Sequence, residues 1–304
     1  MIFSTETHFA FAGEVPLLAV CEAFNLGFSD YKYGVQFDET QMERFLERSG
    51  VQRANSAILL ARSDSGWHGA GLALMALDNE CRAWCGGLAV APALRARGHA
   101  RTLMEMIQRK AAEQGARSMQ LEVLVRNAPA QQLYRQLGYT PRRDLIFWSA
   151  TPETWHPIPT AGELVAGNAS EFLDTLFHWQ SEEPAWQRTQ RSVERYRSDL
   201  WGYVMQDGTE PIGYVACLPT APDEPGKPRV RLMAMAVHPE DDRTPLASRL
   251  IASLRACLPD TTLTIINEPE NSAFATALAI HGFSEVDRQI EMWRKLDDYP
   301  RNTS

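Results

Sequence analysis

The 304 residues are 44% hydrophobic and 22% charged, with a net charge of −8: room for two cores, and too apolar for a disordered chain. No run of 18 apolar residues and no basic-then-apolar N-terminus are present, so neither a membrane span nor a secretory leader is expected. The five cysteines (Cys21, Cys81, Cys85, Cys217 and Cys257) are odd in number and lack metal-ligand spacing, which points to reduced thiols in a cytoplasm and no bound metal.

In chain order, amphipathic helices are expected around 15–23 and 39–49, and strands near 56–62, 69–77 and 82–90. A helix from about Ala100 to Gln114 follows from Leu103, Ile107 and Ala111 recurring on one face, with Gly115 ending it. A strand at 118–125, a short helix at 128–137 stopped by Gly138, and an aromatic-rich strand at 144–148 complete the series. Strands meandering among helices indicate an α/β fold on a mixed sheet, of α+β character.

The pattern then recurs. Asn127–Tyr139 has a counterpart in Asn271–Phe283, and Leu88–Pro92 has one in Met235–Pro239. Gly69–Leu74 resembles Pro211–Ala216, and the closing strand at 144–148 reappears at 289–293. A repeat this long means two consecutive domains of one fold. Pro152, Pro157 and Pro159 interrupt regular structure between them, giving a first domain at 1–150, a linker at 151–160 and a second domain at 161–304. The first domain holds 16 basic and 15 acidic side chains, and the remainder 14 and 23. No basic stripe favours nucleic acid. The acidic half is a solvated surface or an attractor of cationic small molecules.

The chemically informative stretch runs from Val90 to Arg101, through Pro92, Arg95, Ala96, Arg97, Gly98, His99 and Ala100. It leaves a strand and enters a helix, so successive N–H groups and the positive helix end make an anion site suited to a pyrophosphate. Gly98 permits close backbone approach, small Ala100 keeps the first turn clear, and Arg95 and Arg97 add positive charge.

Arg95-x-x-Gly98-x-Ala100 after Val90-x-Pro92 resembles the acetyl-CoA loop of the Gcn5-related N-acetyltransferase (GNAT) superfamily. Asn127, followed by Leu133-Tyr134-x-x-x-Gly138-Tyr139, resembles that family's second signature. Either motif alone is weak; both in order on strand-helix elements are specific, and the likeness covers about 55–148. It implies tandem GNAT domains transferring an acetyl group from acetyl-CoA to a small-molecule or peptide amine, by direct attack in a ternary complex. It further implies that Leu88, Ala89 and Val90 offer backbone groups to the pantetheine arm, and that the segment from Arg95 to Ala100 holds the pyrophosphate. Asn127 would lie near the pantetheine, and Tyr134 would protonate the leaving thiolate. Such chemistry needs a base to keep the amine neutral and a donor for the oxyanion; Glu80 and Glu122 are the candidate bases. Acceptor groups in this superfamily come largely from the first helices, which here offer Asp30 as an ammonium anchor beside Tyr31. Trp84 is a further candidate for the acceptor wall. Gly86 and Gly87 leave a longer acyl donor open.

The second copy departs from the pattern. Arg95 becomes Asp242, Arg97 becomes Thr244, Gly98 becomes Pro245 and Tyr134 becomes Leu278. Each change opposes phosphate binding or thiolate protonation, so a degenerate copy and a single CoA per chain are expected. Two copies in one chain mimic a dimer, giving a monomer with an internal pseudo-dimer, or a homodimer. The rival reading is a non-catalytic acyl-CoA sensor or scaffold.

Overall fold

A computed structural model describes residues 3–32, 36–78, 80–154, 163–222, 226–239 and 242–299. The first elements are β1 (Thr7–Phe11), α1 (Leu17–Gly27), α2 (Glu39–Ser49), β2 (Ala57–Ser63), β3 (Gly66–Leu77), β4 (Arg82–Val90), α3 (His99–Glu113), β5 (Ser118–Leu124), α4 (Ala128–Gln136) and β6 (Thr140–Ala150). There follow β7 (Leu164–Gly167), α5 (Leu173–His178), α6 (Gln190–Glu194), β8 (Trp201–Asp207), β9 (Glu210–Thr220), β10 (Arg229–Val237), α7 (Thr244–Cys257), β11 (Thr262–Pro269), α8 (Ala273–Ile280) and β12 (Ser284–Lys295). The chain divides into two compact units, residues 1–142 with 291–304, and residues 143–290. Among the described residues no helix is long and apolar enough to cross a membrane.

In the first unit the strand order is β1-β2-β3-β4-β5, followed by the end of β12. The helices form where local signals agree. Asp38 caps α2 by accepting from the Gln41 N–H at 2.7 Å, and Gly50 closes it in the left-handed region. The apolar face of α3 is fully buried at Leu103, Met104, Ile107 and Ala111. Burying a leucine or isoleucine is worth about 1.5–3 kcal/mol, so packing rather than intrinsic propensity fixes α3. Helix α1 lies so close to β3 that a Cβ at Gly69 would overlap the Ala19 carbonyl.

The feature that positions the site is the pairing of β4 with β5. The two strands are parallel and matched only from Arg82–Trp84 to Ser118–Gln120, although β4 continues to Val90 and β5 to Leu124. Beyond Trp84 they part. On its other edge β4 stays paired to β3 as far as Val90, with a bulge that leaves Gly86 unmatched.

The second unit repeats the scheme, with order β6-β11-β10-β9-β8-β7. Here β10 and β11 are matched only at Arg229–Arg231 and Thr262–Thr264, so they part as well. Leu250, Ile251 and Leu254 of α7 and Leu278 of α8 lie in the apolar cluster of this sheet.

The closing strands differ from the sequence expectation. Residues 145–150 pair with 263–269 of β11 and lie in the second unit, whereas 291–295 belong to the first. There Arg294 donates to Gln108 Oε1 at 2.9 Å, and the Leu296 N–H donates to the Arg117 carbonyl at 2.9 Å. Alternation of side chains reports that a segment is a strand; it does not report which sheet edge receives it. The division between units therefore falls inside β6, ahead of the 151–160 segment. Residues 155–160 of that segment lie outside the described residues. Pro152–Thr154 forms a short 3-10 turn, and Arg255 donates to the Thr151 carbonyl at 2.8 Å.

Gly69→Ala is expected to lower stability by about 1–3 kcal/mol through overpacking of α1 on β3. Urea denaturation with an unchanged midpoint would refute that account of the α1 contact.

Candidate active site

The loop between β4 and α3 is built around an uncapped helix start. Gly98 is the N-cap at φ 84°, with no side-chain cap, and the space where its Cβ would sit is open. The first backbone bond of the helix runs from the Thr102 N–H to the Gly98 carbonyl. The N–H groups of Gly98, His99, Ala100 and Arg101 are therefore left without intrahelical partners. Ala96 also has a positive φ, 61°, which turns the chain into this cradle. The positive end of the α3 dipole and these donors favour an anion. Burial, then Arg97, lowers the His99 pKa, so this imidazole contributes no cation at neutral pH.

Arg95, beside the cradle, is paired with a carboxylate. Its Nη1 and Nη2 donate to Asp30 at 2.6 and 2.8 Å, its Nε donates to the Val90 carbonyl at 2.9 Å, and Nη2 also reaches the Gly27 carbonyl at 3.0 Å. The guanidinium thus ties the end of β4 to the end of α1. Asp30, expected as an ammonium anchor, has both oxygens matched by Arg95, and this hydrogen bonding lowers its pKa. Arg97 remains exposed.

The gap between β4 and β5 has a distinct chemistry on each face. On one, Tyr134 of α4 is 6% exposed. Its phenol pKa is raised well above the ordinary value, first by burial and then by its neighbours Cys85, Tyr139 and Tyr31. Tyr139 meets it edge-on at 5.8 Å. Cys85 is buried against Met104 of α3, and burial pushes its thiol up to about 12; it is not a thiolate nucleophile. On the other face the Trp84 Nε1–H donates to Glu122 Oε2 at 2.8 Å. Tyr31 meets Phe28 edge-on at 5.5 Å, and Phe28 lies beside Gly87. Glu122 and Trp84 are thus two expected residues brought together, while Tyr31 is a neighbour of Tyr134.

Glu80 is not brought there. It is exposed in the β3–β4 turn and pairs with Arg82 at 3.1 Å, at the opposite end of β4 from Val90. Leu88, Ala89 and Val90 occupy the part of β4 that faces no strand on the β5 side. Asn127 caps α4, accepting from the Ala130 N–H at 3.3 Å. A residue the sequence reading overlooked is Gln131. Its buried amide donates to the Leu124 and Val125 carbonyls at 3.2 and 2.7 Å, fixing the turn from β5 into α4. The only signal was its position four residues after Asn127.

In the second unit the corresponding helix start is occupied by the chain itself. Asp242 Oδ1 accepts from the Thr244 N–H at 2.9 Å, and Pro245 in the first turn of α7 has no N–H. Leu278, at the position matching Tyr134, is fully buried.

Residues 20–139 match the family model of the acetyltransferase (GNAT) family. Among solved structures, the fold is similar to a tandem GNAT protein from the clavulanic acid biosynthesis pathway, with a TM-score of 0.66, 15% identity, 97% of this chain and 100% of that one. It is also similar to a GCN5-related N-acetyltransferase from Sphaerobacter thermophilus, with a TM-score of 0.60, 17% identity and 99% of each chain. A third likeness is to a GCN5-related N-acetyltransferase from Kribbella flavida, with a TM-score of 0.59, 14% identity, 96% of this chain and 72% of that one. At these identities the likeness is one of fold. No curated protein matches in sequence.

The Arg95–Asp30 pair carries a pH signature. Because the folded-state pKa of Asp30 is depressed, its stabilising contribution is present above the ordinary carboxylate range and is lost as pH falls through that range and below it. Melting temperatures of wild type and Asp30→Asn should therefore differ near pH 7, and the difference should shrink steadily as pH falls below the ordinary carboxylate range. A gap that persists unchanged into acid would exclude this pairing as the cause.

Proposed function

Since residues 20–139 form a domain of the acetyltransferase (GNAT) family, we propose that the first unit transfers an acetyl group from acetyl-CoA to an amine by direct attack in a ternary complex. The observation that carries this reading is the buried Tyr134 phenol beside the gap where β4 and β5 part. A sensor or scaffold has no use for a buried proton donor at that point.

The groups present fit the donor. The open edge of β4 over Leu88–Val90 offers main-chain groups to an extended polyamide arm, as an added strand would. The Gly98 cradle with Ala96, His99 and Ala100 offers N–H groups to the pyrophosphate, and exposed Arg97 supplies the adjacent charge. Asn127, at the head of α4, borders the same gap. When bound, acetyl-CoA supplies the thioester carbonyl.

The work of the chain is then positional and protonic. Tyr134, kept protonated by burial, shares its proton with the departing sulfur. Glu122, oriented by the Trp84 indole N–H, accepts the amine proton directly or through a water. Glu80 is a poorer base on geometry, being exposed and paired with Arg82. Phe28, Tyr31 and Trp84 supply an aromatic wall, suited to an amine with some apolar body, on a small molecule or a peptide. The second unit is read as a copy that no longer binds CoA, given Asp242 at its helix start and Leu278 in place of the phenol.

Tyr134→Phe should lower kcat by about 10²-fold or more while leaving KM for acetyl-CoA nearly unchanged, followed as CoA release over a panel of amines. CoA binding with no amine turned over by wild type would favour the sensor instead. Calorimetry should find one CoA per chain; two would overturn the reading of the second copy.

A further inference from the structure

The β2–β3 hairpin of the first unit carries a chain of polar contacts that the acyl-CoA site does not use. Ser65 lies exposed in the turn between Ser63 and Gly66. Its Oγ is 2.8 Å from His68 Nε2, and His68 Nδ1 is 3.1 Å from Glu22 Oε1 of α1. The other carboxylate oxygen, Oε2, accepts from the Gly69 N–H at 3.0 Å. Both oxygens of Glu22 are thus fixed, and the carboxylate in turn fixes the ring. A carboxylate only accepts, so Nδ1 carries the imidazole proton and Nε2 presents its lone pair to the Ser65 hydroxyl. Ser63 Oγ, 2.9 Å from Ser65 Oγ, is left to donate to it, and accepts from the Ser65 N–H at 3.2 Å. A hydroxyl, a base and a group that orients the base stand in sequence.

Helix α1 supplies two further needs. It runs beside β3 in the same direction: Ala19 lies against Gly69, and Gly27 against Ala89 and Val90, which β3 meets at Leu72 and Gly71. The start of α1 is therefore at the Ser65 end of β3. Leu17 and Leu18 open the helix behind Pro16, and their N–H groups have no intrahelical partner. The positive end of the helix favours negative charge developing at that end of the strand. Leu18, one turn from Glu22 on the same helix face, is 54% exposed and offers apolar surface to a short acyl chain.

We propose that Ser65, with His68 as base and Glu22 as positioning residue, is a nucleophile that hydrolyses short-chain carboxylic esters. Ser65 Oγ attacks the ester carbonyl carbon while His68 Nε2 takes the hydroxyl proton. The carbonyl re-forms, the bond to the leaving oxygen breaks, and that oxygen takes the proton from His68. Water, deprotonated by the same nitrogen, then attacks the acyl-serine; the carboxylic acid leaves and Ser65 recovers its proton. No CoA takes part, so the site stands whether or not the first unit is an acetyltransferase.

Two probes test this on the full chain: p-nitrophenyl acetate for turnover, and a fluorophosphonate, which loses fluoride to a reactive serine, for capture and peptide mass spectrometry. One phosphonyl adduct per chain is expected, on Ser65. Ser65→Ala, a change in an exposed turn, should abolish both the adduct and ester turnover. His68→Gln should slow both by about 10²-fold or more. Glu22→Gln should lower kcat for the ester at least about tenfold with KM unchanged, a split that a merely structural carboxylate would not produce. No adduct, an adduct on another residue, labelling indifferent to His68→Gln, or ester turnover retained by Ser65→Ala would each overturn the proposal.

Discussion

The parting of β4 and β5 after Trp84 and Gln120 is the constraint on which the first unit depends. Three matched residues hold the strands together; beyond them each strand has one edge with no neighbour across the gap. Buried main-chain N–H and C=O groups must be satisfied by something, and in this stretch that something is left to a ligand or to water. The bulge at Gly86 lies in β4, and the buried amide of Gln131 fixes the end of β5, on either side of the gap. The helix α3 then enters with its N-terminus bare, so one chain segment presents a neutral edge and an anion cradle in succession.

The two units show what happens to the same constraint when one local choice changes. A carboxylate at a helix N-cap stabilises the helix by about 0.5–2 kcal/mol. In the second unit Asp242, one residue ahead of the N-cap, places a carboxylate on the Thr244 N–H, and Pro245 removes another donor. In the first, Gly98 forgoes that stabilisation and leaves the donors open. Forgone local stability at a site is what function commonly costs.

Much of this was legible in the sequence because it is local. Helical periodicity located α3, Gly98 and Ala100 located the cradle, and the spacing from Asn127 to Gly138 located α4 and Tyr134. What was not legible is non-local. Asp30 and Arg95 are 65 positions apart, and nothing in either neighbourhood announces that the two side chains pair. Glu80 and Glu122 are equivalent as letters, yet one sits in an exposed turn and the other accepts from a buried indole. The closing strands misled for a related reason. Segments 144–148 and 289–293 both begin with a polar residue and end on a tryptophan, and nothing local to either says which sheet edge receives it.

Burial decides the chemistry of the gap more than any single residue does. The same low-polarity surroundings that hold the Tyr134 phenol in its protonated form push the Cys85 thiol up to about 12. A thiol at that value presents almost no thiolate at neutral pH, so Cys85 is a packing residue against Met104 and not a relay for an acyl group. A phenol in the same environment is a donor that cannot act as a base. On the proposed reading, one environmental effect therefore removes the covalent route and supplies the acid for the direct one. The base has to come from the opposite face, where Glu122 stands with its geometry set by Trp84.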